Sequence, residues 1–181
     1  KFKVIYTGAH GPANGLDVLV QTAFLLQETN PEFHLFLIGD GSEKAGLKKM
    51  AREMGLNNIS FLPPVAKAQV PSVLAKANLL VHCLKKLDVF RHGISPNKMY
   101  DYLASAKPIV MAVEAKNSIV EEAGAGRVVE PENPEALSQA ITELSQLTER
   151  ERARMGSNGR RYVEQYHSIR VLAQKLESIL T

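Results

Sequence analysis

Short apolar runs rich in β-branched residues alternate, from one end of this chain to the other, with longer stretches whose apolar residues recur every three or four positions. A strand apolar on both sides must be buried on both faces, and a helix with one apolar stripe must lay that stripe on something. Alternation of the two is the signature of strand-helix units wound around a parallel sheet. Phe2 to Tyr6, His34 to Ile38, Ile59 to Leu62, Leu79 to His82, Pro108 to Met111 and Arg127 to Val129 read as the strands. Six strands in this order predict a doubly wound, Rossmann-like α/β sheet with helices on both faces.

The intervening helices follow from periodicity and end signals. Gly15 to Thr29 places Leu16, Leu19, Val20, Ala23, Leu25 and Leu26 near one face, and Glu43 to Met54 repeats the pattern before stopping at Gly55. Gln69 to Ala77 carries Pro71 in its first turn, Asn97 to Ser105 follows Ser95-Pro96, and Ser118 to Ala123 ends at Gly124. Pro134 to Leu147, Glu149 to Tyr166 and Ser168 to Leu180 form a helical tail longer than the crossovers of the sheet require. The last of these is suited either to lying across another domain or to packing on its own sheet.

No linker, repeat or low-complexity tract divides the 181 residues, so residues 1–181 read as one domain. No segment approaches the roughly 18 to 20 apolar residues that span a bilayer. The formal charge of +3 is scattered and only 6% of residues are aromatic, with no Trp, which speaks against a nucleic-acid partner and suits a small anionic ligand. Cys83 is the single cysteine, so neither a disulfide framework nor zinc spacing is expected, and a reducing, cytoplasmic setting is. The chain opens directly on an apolar strand without Met, as a piece of a longer protein would.

In open parallel sheets ligands sit beyond the carboxyl ends of the strands. Three loops there are suggestive. Thr7 to Gly15 has three glycines that permit close backbone approach ahead of a helix start, yet matches neither the dinucleotide nor the nucleotide-triphosphate fingerprint. Gly39-Asp40-Gly41 lets the chain pass close under a ligand. Phe90 to Tyr102 is the most informative: Ser95 fits an N-cap and Pro96 a first helical residue, so the Asn97 and Lys98 N–H groups point out of a helix start. A diphosphate there gains the helix dipole, two backbone donors and the cations Lys98 and Arg91. Asp101, one turn deeper, is placed to accept hydrogen bonds from the vicinal hydroxyls of a ribose. No Ser-His-Asp ordering, metal-spaced cluster or paired inward carboxylates suggests a hydrolase.

Asn14-Gly15-Leu16-Asp17-Val18-Leu19, Leu37-Ile38-Gly39-Asp40-Gly41, Phe61-Leu62 before Pro63-Pro64-Val65, Asp101 to Val110, Glu121 to Gly126 and Met155 to Arg160 together resemble, in order, the carboxyl-terminal half of retaining glycosyltransferases of GT-B architecture, family 4 type. The resemblance implies a donor-binding half that takes a nucleotide-diphosphate sugar, UDP-linked by the family's habit, while an amino-terminal acceptor domain is absent from this chain. It implies no metal and no cofactor beyond the donor itself. Ser95 to Lys98 followed by Asp101-Tyr102 is similar to a subgroup that builds bacterial surface polysaccharides and lipopolysaccharide, including N-acetyl-aminosugar transferases. Such enzymes would act at the inner face of the plasma membrane on polysaccharide or lipid-linked acceptors.

By that resemblance the base lies near Val65 with Gly41 beneath, and Gly8, His10 and Asn14 approach the phosphates or sugar; a solvent-exposed loop histidine is the alternative for His10. The chain departs from the pattern in two places. The family's paired glutamates, with seven residues between them, fall on Gly93 and Asp101, and its first-loop arginine and lysine fall on Ala9 and Asn14. A leaving diphosphate still needs cations or N–H groups aimed at it. Lys98 and Arg91 are therefore expected to act catalytically in place of the missing pair, with Ser95, Asn97 and Asp101 completing the donor site. Two other readings stay open: a degenerate half serving as a binding or scaffold module, and a GT-B-fold sugar-nucleotide epimerase or phosphorylase.

Overall fold

A computed structural model describes residues 1–92, 97–114 and 118–180. Its strands are β1 (Phe2–Thr7), β2 (Phe33–Ile38), β3 (Ile59–Leu62), β4 (Leu79–Cys83), β5 (Ile109–Ala112) and β6 (Gly126–Val129). The helices are α1 (Asp17–Thr29), α2 (Lys44–Glu53), α3 (Val70–Leu74), α4 (Asn97–Ala104), α5 (Ile119–Glu122), α6 (Pro134–Gln146), α7 (Glu149–Tyr166) and α8 (Ile169–Leu180). All strand pairs are parallel, in the order β3-β2-β1-β4-β5-β6. This is the doubly wound sheet expected from the alternation, and its winding reverses between β1 and β4.

Alternate residues of each strand feed two cores. Val4, Leu35, Leu37, Leu79 and Val81 meet α1, α2 and α6 on one face; Ile5, Ile38, Leu80, Ile109 and Met111 meet α3, α4 and α7 on the other. Element bounds move by one to three residues from the sequence reading, for local reasons. Gly15 has φ +54 as the left-handed end of a tight turn at Pro12–Asn14, so α1 starts at Asp17. Pro108 has no N–H to give the ladder; its carbonyl accepts from Leu80 N at 2.9 Å and β5 begins one residue later. The stretch Gln69 to Ala77 shortens to α3 behind a 3-10 turn at Lys67–Gln69, where Gln69 Oε1 accepts from Ala66 N at 3.2 Å.

α4 is the element that matters most for function. Its buried Met99, Tyr102 and Leu103 fasten it to the sheet, and the fully buried Tyr102 hydroxyl accepts from Thr7 N at 2.8 Å. That bond ties α4 to the carboxyl end of β1. Among the described residues no helix is long and apolar enough to cross a membrane.

Candidate functional site

A cleft of about 370 Å³ opens at the carboxyl ends of β1 and β2, beside the point where the winding reverses. One wall is backbone from the first two loops, Gly8 and Gly39-Asp40; Pro64 and Val65 close one end; Lys98 and Asp101 of α4 form the opposite wall. This is where an open parallel sheet takes its ligands.

The two glycine-bearing loops are stitched together. Gly8 N donates to Ile38 O at 3.0 Å, His10 N to Asp40 O at 2.8 Å and Glu43 N to His10 O at 3.0 Å. A side chain at Gly39, whose φ is +152, would put its Cβ 1.9 Å from Gly8 O, so only glycine lets the loops approach this closely. Lys44 braces them from below, its Nζ donating to Gly39 O at 2.6 Å and Leu62 O at 3.1 Å.

Lys98 runs back along the cleft toward β1. Its Nζ donates to the Tyr6 hydroxyl at 2.9 Å, lies 4.3 Å from the centroid of the Tyr6 ring and sits 2.5 Å from where a Cβ on Gly8 would stand. Burial pushes its ammonium down to about 8, against a smaller opposing pull from the Cys83 thiol. Asp101, one turn along α4, is exposed and faces the same space. A cation and a carboxylate three residues apart on one helix, with glycine backbone opposite, can hold a phosphate and a diol side by side.

The sequence-derived residues divide accordingly. Gly8, Val65, Lys98 and Asp101 line the cleft. Asn97 is exposed at the first described position of α4. His10, Asn14 and Gly41 stand outside the lining. The alternative of an exposed loop histidine at position 10 is overturned: His10 is fully buried, with neither ring nitrogen hydrogen-bonded, and burial followed by nearby Lys44 lowers its pKa. Asn14 spends its side-chain amide on Ala9 O at 3.1 Å. Gly41 packs on the first loop rather than beneath the cleft, since a Cβ there would stand 2.5 Å from His10 O. Ser95 and the Arg91 side chain lie outside the described residues.

Sequence reasoning missed two tyrosines. Tyr6 looks like one more apolar strand residue, and Tyr102 like a stripe residue of a helix; only the fold brings their hydroxyls to the loop at the end of β1. Two buried groups end β4: His82, pushed down to about 3 mainly by burial, and Cys83, pushed up to about 12 by the same cause.

The family profile described as glycosyl transferases group 1 matches residues 1–162. This chain belongs to the group 1 glycosyltransferases. It is 28% identical over 142 residues to WcaI of Escherichia coli K12, a glycosyl transferase assigned to colanic acid biosynthesis, covering 76% of this chain and 34% of that protein. To a GDP-mannose-dependent monoacylated alpha-(1-6)-phosphatidylinositol monomannoside mannosyltransferase of Corynebacterium glutamicum it is 25% identical over 173 residues, covering 93% and 44%. The group 1 chain therefore spans less than half the length of these relatives. Its fold is that of a TarM mutant of S. aureus solved with Fondaparinux, alpha-GlcNAc-glycerol and UDP, at TM-score 0.83 and 19% identity over 98% of this chain and 35% of that one. Anabaena HepE, solved with UDP-glucose, superposes at TM-score 0.80 with 20% identity, covering 99% and 48%.

Proposed function

We propose that this chain is the donor-binding half of a retaining glycosyltransferase and holds a nucleotide-diphosphate sugar, UDP-linked, in the cleft between β1 and α4. One observation carries the reading: Lys98 and Asp101 of one helix line the same cleft as Gly8 and Gly39 of the first two loops. In this pose Asp101 accepts from the ribose hydroxyls, Lys98 and the amides at the start of α4 meet the diphosphate, and the base rests near Val65. As the glycosidic bond to the diphosphate breaks, charge grows on its oxygens, and the ammonium of Lys98 is the group placed to stabilise it. Binding needs no metal or cofactor in this reading. The acceptor, polysaccharide or lipid-linked, belongs to a second domain, so the chain alone binds donor without transferring sugar.

The base of the donor is the finer point. A UDP complex of one structural neighbour and the GDP-mannose dependence of one relative support nucleotide diphosphates in general. Titration of the chain with UDP and with GDP, followed by amide shifts, tests the reading. UDP is expected to bind in the micromolar to millimolar range and to perturb Asn97, Lys98 and Asp101, and Asp101→Asn and Lys98→Ala each to weaken it roughly tenfold or more. Silence toward both nucleotides would favour a scaffold role instead. In the longer enzyme Lys98→Ala should lower turnover by about tenfold to a thousandfold.

A further inference from the structure

Lys98 is a long, flexible cation whose ammonium, among the described residues, makes one hydrogen bond in the cleft. Its acceptor is the hydroxyl of Tyr6, a side chain with no exposed surface. Tyr6 belongs to the core on the α1 side of the sheet, whereas α4 covers the other side, so its phenol reaches over the end of β1 to meet a residue from the opposite layer. The hydroxyl has both roles filled: it donates to Ala9 O at 2.8 Å and accepts from Lys98 Nζ at 2.9 Å. Lys98 to Tyr6 to the Ala9 carbonyl is thus a directed chain of donors joining α4 to the first loop. The same ammonium rests against the Tyr6 ring face, and Gly8 leaves the space it occupies.

We propose that Tyr6 is a positioning residue for donor binding: its buried hydroxyl holds the Lys98 ammonium over Gly8, so that the two remaining N–H groups of that ammonium stay aimed at the diphosphate. The proposal rests on the assignment of Lys98 to the diphosphate. A lysine left free must give up its rotamer freedom when an anion arrives; one held beforehand has already done so. Removing the hydroxyl alone is a clean cut, because the ring remains and Ala9 O keeps its second donor, the Asn14 amide at 3.1 Å. Lys98 is the group set loose.

The test is a double-mutant cycle on the whole chain with UDP as probe. Tyr6→Phe is expected to weaken UDP binding about three- to tenfold, the range for one hydrogen bond, and to weaken it no further when Lys98 is already Ala. The pH midpoint above which UDP binding declines should fall by about half a unit to one unit, since the ammonium loses an acceptor that favours its charged form. The titratable groups around that ammonium are Tyr6 of β1, His10 of the first loop, His82 and Cys83 of β4, and Asp101 in the same cleft. A purely structural Tyr6 would lower the melting temperature and leave that midpoint in place. If Tyr6→Phe costs the same with Lys98 present or replaced, the positioning role is overturned and the Lys98 assignment survives. If Lys98→Ala itself leaves UDP binding untouched, both fall together. Should Tyr6→Phe fail to fold, the Tyr6 Cζ resonance of the unsubstituted chain is expected to move with the Lys98 titration and to stop moving in Lys98→Ala; a signal indifferent to that substitution overturns the role.

Discussion

Burial holds the Lys98 ammonium close to losing its proton at moderately alkaline pH, and two pH dependences of opposite sign follow. Between about 8 and the ordinary lysine value of 10.5 the unfolded chain carries a proton on this residue that the folded chain lacks, so its contribution to stability rises with pH across that window. UDP affinity should do the reverse, declining as the pH passes upward through about 8 because the diphosphate loses its cation. Calorimetric titrations from pH 6.5 to 9.5 measure this, and a flat profile would remove Lys98 from the diphosphate. His82 titrates at the acid end. Its folded pKa is pushed down to about 3 from 6.5, so the histidine stays neutral in the folded chain while the unfolded one takes up a proton, and stability is lost as the pH falls through that interval. The slope is at most about 1.4 kcal/mol per pH unit for one such histidine. Urea midpoints at pH 7.5 and 5 should differ, and His82→Leu should narrow the difference.

At the scale of elements, close packing of α7 on the end of α4 is what holds the wall that carries Lys98 and Asp101. Gly156 of α7 lies so near the Ala106-Lys107 backbone that a Cβ would stand 1.9 Å from Ala106 O, and one on Gly159 would meet Leu103 at 2.9 Å. Gly46 of α2 has nothing within 4 Å of the same position. Two substitutions of identical chemistry in helices should therefore act in opposite directions. Gly46→Ala is expected to stabilise the chain by up to about 1 kcal/mol through helix propensity, and Gly156→Ala to destabilise it by about 1 to 3 kcal/mol, since backbone cannot move aside as a side chain can. Thermal melts of the two variants decide it. Equal shifts of the same sign would mean α7 does not press on the α4–β5 turn. Gly156 falls in the Met155 to Arg160 motif and Gly46 in none, yet the close approach of the Ala106 carbonyl that separates their effects is a tertiary contact.

Over the whole molecule, α8 is the element without a place of its own. It buries no residue, and Ile169, Leu172, Leu176 and Ile179 make an exposed apolar stripe. The relatives extend well beyond the length of this chain, and in the two-domain reading proposed above the acceptor domain is the surface on which such a stripe would pack. Leu176→Asp should leave the melting temperature of this chain unchanged within about 0.5 kcal/mol of stability, while weakening the association of the two halves in the longer enzyme. A large loss of stability in the chain alone would show that α8 packs on its own sheet. The six strands, the helices between them and the position of the loops that line the cleft were legible in the amino-acid order, because the period of apolar residues is a local property set by backbone geometry. Lys98 and Asp101 were legible too, being neighbours on one helix. The burial of His10, the packing of Gly41 on the first loop, and the reach of Tyr6 over the end of β1 to Lys98 were not. Each depends on residues tens of positions apart being brought together by β1–β2 and β1–β4 pairing, and contacts of that kind leave no periodic trace in the chain. The amino-acid order determined the scaffold and the chemistry available at its rim; the packing of the two layers across β1 decided which of those groups face the cleft and which hold the others in place.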